Sequence, residues 1–361
     1  MRYLFRSCIA SLSLLLPLSL GAQTATAPAN AIGAAPIECG SGKAINEEGF
    51  VKIGGIEQWV TIKGEDCRNP VILFVHGGPG NPMTPYANSP YRPWEKDFTF
   101  VHWDQRGAGQ TYGRNPIEPE TEEHILSVEG LAADGVEVAA FAARHLNAPK
   151  LVLFGGSWGS VLGVHMAKRR PDLFVAYVGT GQLVGPDNDK ESYRKTLELA
   201  RASGDKKTVE MLEGFGLPPW TKPRTPGLLR RISRIYEAKT TDPAPVSWWS
   251  RSPQYSSDEA LINYGKGEDF SWLQYVGMKG DGMRYGVDLP KLGLDFEIPV
   301  FMIMGAEDLT SVPEVAKRYF DSIRAPQKEY FLLPRTGHDH NHIMIEAQYK
   351  VLATKVRPLL R

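Results

Sequence analysis

A serine hydroxyl attacks a carbonyl efficiently only when a base removes its proton and donors stabilise the oxyanion that forms. Ser157 stands where both conditions can be met. It lies in Gly155-Gly156-Ser157-Trp158-Gly159, between an apolar run and a segment of helical spacing. Glycines two residues away on either side relieve crowding in a sharp strand-to-helix turn that would expose the hydroxyl. A helix start also leaves backbone N–H groups free to face negative charge, so Trp158 is expected to supply one oxyanion donor. The five-residue pattern alone also describes a glycine-rich turn; its place between strand and helix gives it chemical meaning.

A second donor is expected from His76-Gly77-Gly78-Pro79-Gly80, which follows the apolar run Val71–Val75. Gly78 is the expected donor, with Gly77 as the alternative. His76 sits on this loop rather than late in the chain, which points to a structural role and not to base catalysis.

The base and its orienting acid should follow the nucleophile, acid first and histidine last. His338 fits in Pro334-Arg335-Thr336-Gly337-His338, just after the run Glu329–Leu333. Asp308 fits in Gly305-Ala306-Glu307-Asp308, just after Val300–Met304, with Glu307 as its neighbour and alternative. Asp308 would hold the imidazole in one tautomer and stabilise its protonated form. His338, His340 and His342 alternate around Asp339, but alternation puts them on one side only in an extended segment, and a helix is expected to begin there. No metal and no cofactor is therefore expected.

These side chains need strands that end beside one another. Strand-like runs are Phe50–Ile53, Glu57–Ile62, Val71–Val75, Thr99–Trp103, Leu151–Phe154, Phe174–Val178, Val300–Met304 and Glu329–Leu333; helical spacing marks Val128–His145, Ser157–Arg170, Val312–Ile323 and His342–Leu359. Strands alternating with helices imply an α/β fold with a mostly parallel sheet covered on both faces. Such sheets bind ligands at the carboxyl ends of their strands, where the residues above fall. Residues 185–292 break the rhythm, with helical stretches around Ser192–Ala202, Lys207–Gly214 and Leu228–Lys239 interrupted by prolines. They read as an inserted helical cap. Its tryptophans, Trp220, Trp248, Trp249 and Trp272, would form either the cap's own small core or an aromatic wall over the substrate.

The domain order expected is a signal peptide over residues 1–22, an N-terminal arm over 23–48, core over 49–184, cap over 185–292 and core again over 293–361. Arg2 and Arg6 followed by an apolar stretch too short to span a membrane, then Leu20-Gly21-Ala22, read as a secretory leader. The expected location is periplasmic or secreted, with no membrane span in the mature chain. Loss of the leader would remove Cys8 and leave Cys39 and Cys67, which are expected to pair in an oxidising compartment. Forty-one basic residues balance 41 acidic ones, so no nucleic-acid partner is implied.

Together, His76–Gly80, Trp103-Asp104-Gln105-Arg106-Gly107-Ala108-Gly109, Gly155–Gly159 and the contexts of Asp308 and His338 resemble the proline iminopeptidase family, a branch of the α/β-hydrolase fold. The resemblance covers about residues 49–184 and 293–361. It implies hydrolysis of an N-terminal residue, often proline, from small peptides, without a metal, and with carboxylates that bind the free amino group. Glu210, Glu213 and Glu237 are the cap candidates for those carboxylates; exposed helix acids are the alternative reading. The cap itself departs from the family after Phe174–Val178, at Gly179-Thr180-Gly181-Gln182. An esterase acting on another small acyl substrate would use the same triad, and a binding protein without catalysis would need only the fold.

Overall fold

The computed structural model describes residues 29–360 apart from 34, 41, 87 and 88. The leader expected over residues 1–22 and the start of the arm lie outside the described residues. Nine strands form one sheet: β1 (Asn30–Ala31), β2 (Ile45–Ile53), β3 (Ile56–Gly64), β4 (Val71–Val75), β5 (Thr99–Trp103), β6 (Leu151–Gly156), β7 (Phe174–Thr180), β8 (Val300–Gly305) and β9 (Lys328–Leu333). Their spatial order is β1-β2-β3-β5-β4-β6-β7-β8-β9. The β2–β3 and β3–β5 pairings are antiparallel, while β5, β4, β6, β7, β8 and β9 run parallel to one another.

Nine α-helices accompany them among the described residues: α1 (Gly109–Arg114), α2 (Val128–His145), α3 (Trp158–Arg169), α4 (Asp187–Ala202), α5 (Lys206–Phe215), α6 (Arg224–Glu237), α7 (Asp258–Val276), α8 (Pro313–Ser322) and α9 (His342–Val351). None is long and apolar enough to cross a membrane.

The two-residue period of a strand sorts the core into layers. In β4, Val71, Leu73 and Val75 pack with residues of α2, α3 and α8 on one face, whereas Ile72 and Phe74 pack with α9 residues such as Met344 and Ile345 on the other. A strand covered on both faces has no polar side, which explains the uninterrupted apolar run. β9 lies at the edge and leaves Leu332 exposed. A third, smaller core belongs to the cap, where Tyr193, Leu197, Leu212, Trp220, Leu229 and Tyr236 close together.

Two local departures from the sequence reading have physical causes. β2 begins at Ile45, within the expected arm, because Ile45–Ile53 pairs along its whole length with β3 despite the polar run Asn46-Glu47-Glu48. Ile32, Ile37 and Cys39 of that arm also pack on the main core, and Cys39 is bonded to Cys67 with a Cα separation of 5.8 Å. In the cap, α7 is an additional long helix; Ser257 caps it by accepting the Ala260 N–H at 3.2 Å.

Candidate active site

Ser157 joins β6 to α3 with φ 52° and ψ −121°, a conformation outside the regions that non-glycine residues normally occupy. The turn survives because its neighbours have no side chains. A Cβ on Gly159 would lie 2.0 Å from the Val75 carbonyl oxygen, and one on Gly155 would lie 2.5 Å from that of Gly159. The flanking glycines thus let the Ser157 loop press against the end of β4.

His338 follows β9, and its Nε2 stands 2.9 Å from Ser157 Oγ. Its Nδ1 stands 2.9 Å from Asp308 Oδ2, just beyond β8. An ionised carboxylate can only accept, so Nδ1 carries the proton and Nε2 is free to accept from the serine. The Asp308 side chain is fully enclosed and that of His338 is 5% exposed. The second oxygen of Asp308 accepts the backbone N–H groups of Thr310 at 2.8 Å and Ser311 at 2.6 Å. Burial opposes charge on the imidazole, but the facing Asp308 outweighs it and holds the pKa of His338 above its ordinary value. The structure thus brings Ser157, His338 and Asp308 into one hydrogen-bonded series, and such a series can move a proton from the hydroxyl to the imidazole. Glu307 takes no part in it.

Gly77 and Gly78 border the same cleft as Ser157. Among the described residues, neither the Gly78 amide nor the Trp158 amide has a hydrogen-bond partner. The loops that carry them are braced from beneath by Gln105. Its side chain donates to the His76 carbonyl at 2.9 Å and accepts from the Trp158 indole at 3.3 Å. His76 Nε2 accepts the Gln105 N–H at 3.2 Å, so its other nitrogen donates to the Gly77 carbonyl at 2.8 Å. Burial lowers the His76 pKa to about 4, which keeps it neutral in this structural task. Sequence reasoning placed Gln105 in a motif without a role. The other histidines turn elsewhere: His340 bonds the Tyr91 hydroxyl at 2.8 Å, and His342 lies edge-on to Trp248.

The cleft over Ser157 has a volume of about 870 Å³. Its roof is α6, whose apolar face, with Leu229 and Tyr236, packs in the cap core. The opposite, polar face, with Arg230, Arg231, Arg234 and Glu237, therefore points into the cleft instead of to open solvent. Trp249 and Trp272 line the cleft, whereas Trp220 is buried in the cap core and Trp248 packs against the main core.

Of the three cap carboxylates, the structure brings only Glu237 to the site. Glu210 and Glu213 lie on α5 away from the cleft, both exposed, and Glu213 pairs with Arg201 at 2.7 Å. Glu237 is buried, and its oxygens accept the backbone N–H of Leu309 at 2.6 Å and that of His338 at 3.1 Å. Burial, followed by the charge of Asp308, pushes its pKa up to about 7 against the pull of His338 and the two amides. Arg230, Glu268 and the brace of Gln105 escaped the sequence reading. The arginines of α6 resemble an ordinary solvated helix face until the fold turns it inward.

A model of the alpha/beta hydrolase fold family matches residues 70–342, and the chain belongs to that family. Within it, the chain is a proline iminopeptidase-like member. It is 32% identical over 292 residues to the "Probable proline iminopeptidase" of Streptomyces coelicolor, spanning 76% of this chain and 85% of that protein. It is 28% identical over 294 residues to the "Probable aminopeptidase YbaC" of Bacillus subtilis, spanning 80% of this chain and 89% of that protein. The crystal structure of a proline iminopeptidase from Mycobacterium smegmatis shares the fold with a TM-score of 0.58 at 18% identity, covering 86% of this chain and 97% of that one.

Proposed function

We propose that the protein is an exported serine aminopeptidase of the proline iminopeptidase type, with Ser157, His338 and Asp308 as its catalytic triad. The observation that carries this reading is the unbroken series Ser157 Oγ, His338 Nε2, His338 Nδ1, Asp308 Oδ2 at 2.9 Å per step, opening on a roofed cleft. Ser157 attacks the scissile carbonyl as His338 takes its proton, and the Trp158 and Gly78 amides hold the oxyanion. His338 then protonates the departing amine, and water releases the acyl group from Ser157. Glu237 receives the substrate ammonium. A carboxylate has about four acceptor positions, of which two are used here, and an incoming cation favours its ionised form. Export is supported by the leader-like residues 1–22 and by the Cys39–Cys67 disulfide, a bond typical of oxidising compartments.

One observation favours a second reading. Both Glu237 oxygens already accept backbone amides, so the site also suits an ester or other small acyl substrate that has no ammonium. Kinetics on a panel of aminoacyl arylamides beside a short-chain p-nitrophenyl ester decide between them. Proline arylamide cleavage is the expected result; ester turnover with no arylamide cleavage eliminates the peptidase reading.

A further inference from the structure

The roof of the cleft holds a cation that no side chain answers. Arg230 is half-buried on α6, and among the described residues its guanidinium makes no hydrogen bond or ion pair. Its Nε is enclosed and has no acceptor. Of the other arginines nearby, Arg231 also lacks an ion pair among the described residues but is exposed to solvent, and the rest are matched. Arg234, one turn further on, pairs with Asp339 at 2.6 Å; Arg335 pairs with Asp242; and the more deeply enclosed Arg284 pairs with Asp189. Glu268 and Asp339 are the acids whose charge reaches Arg230, yet neither forms an ion pair with it.

A guanidinium keeps its proton even in such a place, so its desolvation is offset only when an anion meets it. Its forked donors fit the two oxygens of a carboxylate. Arg230 lines the same cleft as Ser157 and His338, and its charge opposes protonation of His338. Two turns of α6 separate Arg230 from Glu237, so a cation and an anion face the cleft about 10 Å apart along the helix. That spacing suits a short zwitterion.

We propose that Arg230 is a subsite for a substrate carboxylate, the free C-terminus of a di- or tripeptide, and that it selects such peptides over capped or longer ones. The assignment rests on the peptidase reading for its substrate but not for its test. Binding is measured by calorimetry on S157A, which needs no turnover, with the probes Pro-Ala, Pro-Ala-amide and Pro-Glu-amide. Pro-Ala is expected to bind roughly tenfold or more tightly than Pro-Ala-amide. That preference is expected to vanish in S157A/R230M and to survive in part in S157A/R230K, which retains the charge and controls for folding.

Equal binding of Pro-Ala and its amide to S157A overturns the proposal. So does a preference that persists without Arg230, or no binding of any probe. Pro-Glu-amide binding as tightly as Pro-Ala overturns the C-terminal assignment, because a side-chain carboxylate would then suffice. If the binding pattern holds while wild-type protein fails to cleave Pro-Ala, the peptidase reading falls and the carboxylate subsite stands.

Discussion

Glu237, the last residue of a cap helix, accepts the backbone N–H of His338 at 3.1 Å, and its other oxygen accepts that of Leu309, next to Asp308, at 2.6 Å. One carboxylate from the cap therefore sets the spacing of the two loops that carry His338 and Asp308. Substitution by glutamine keeps one acceptor oxygen and replaces the other with a donor, leaving one of the two amides unpartnered. The expected loss is about 1–3 kcal/mol of stability, read by chemical denaturation.

The same variant should alter the pH profile. The Glu237 carboxylate helps raise the pKa of His338, and only neutral His338 can accept the serine proton. The acid limb of kcat/KM is therefore expected above the ordinary imidazole range in wild-type protein and at lower pH in E237Q. An acid limb that stays in place would show that Glu237 acts on packing alone.

Labelling with a fluorophosphonate probe should modify wild-type protein at Ser157 and leave S157A unmodified. D308N should still fold, because Asn can keep accepting the Thr310 or Ser311 amide. It would favour the wrong imidazole tautomer, with an expected loss on the order of 10⁴ in kcat. Folded wild-type protein that resists the probe would favour the non-catalytic reading of this fold.

Gln105 tests how far the Gly78 and Trp158 amides, the proposed oxyanion donors, depend on support from beneath. Q105A removes both the bond to the His76 carbonyl and the acceptor for the Trp158 indole. The expected result is a lower kcat with little change in KM, because the donors act mainly on the transition state. An equal change in both would point to general loosening of the site.

Cys39 and Cys67 are 28 residues apart in sequence, and their bond fastens the N-terminal arm beside the end of β3. C39S/C67S should lower stability by about 2–4 kcal/mol through the unfolded chain's added freedom. Denaturation midpoints with and without reductant measure it, and reduced wild-type protein should match the double variant.

The core of the site was legible because its signals are local. Ser157 and Asp308 follow the fully buried strands β6 and β8, His338 follows the edge strand β9, and a parallel sheet brings such ends together. The cap gives no comparable signal. Arg230, Arg231 and Arg234 share a polar helix face, and only tertiary packing decides whether such a face meets water or a cleft. Glu237 was distinguishable from Glu210 and Glu213 only by its contacts with loops more than 70 positions away in sequence, at Leu309 and His338. In α7, Gly265 and Gly267 interrupt the helical pattern, and the close approach of Gly267 to Gly107 and Tyr112 gives the reason for one of them.

The junction at Glu237 also bears on how molecules enter. If the C-terminal end of α6 swung outward, two enclosed amides would lose their acceptor at once, and the histidine would lose its anchor at the moment of admission. Traffic is thus expected past another wall, at the exposed Trp249, while α6 stays seated. The cap's fixed corner thus keeps the His338 and Asp308 loops in register as a molecule passes.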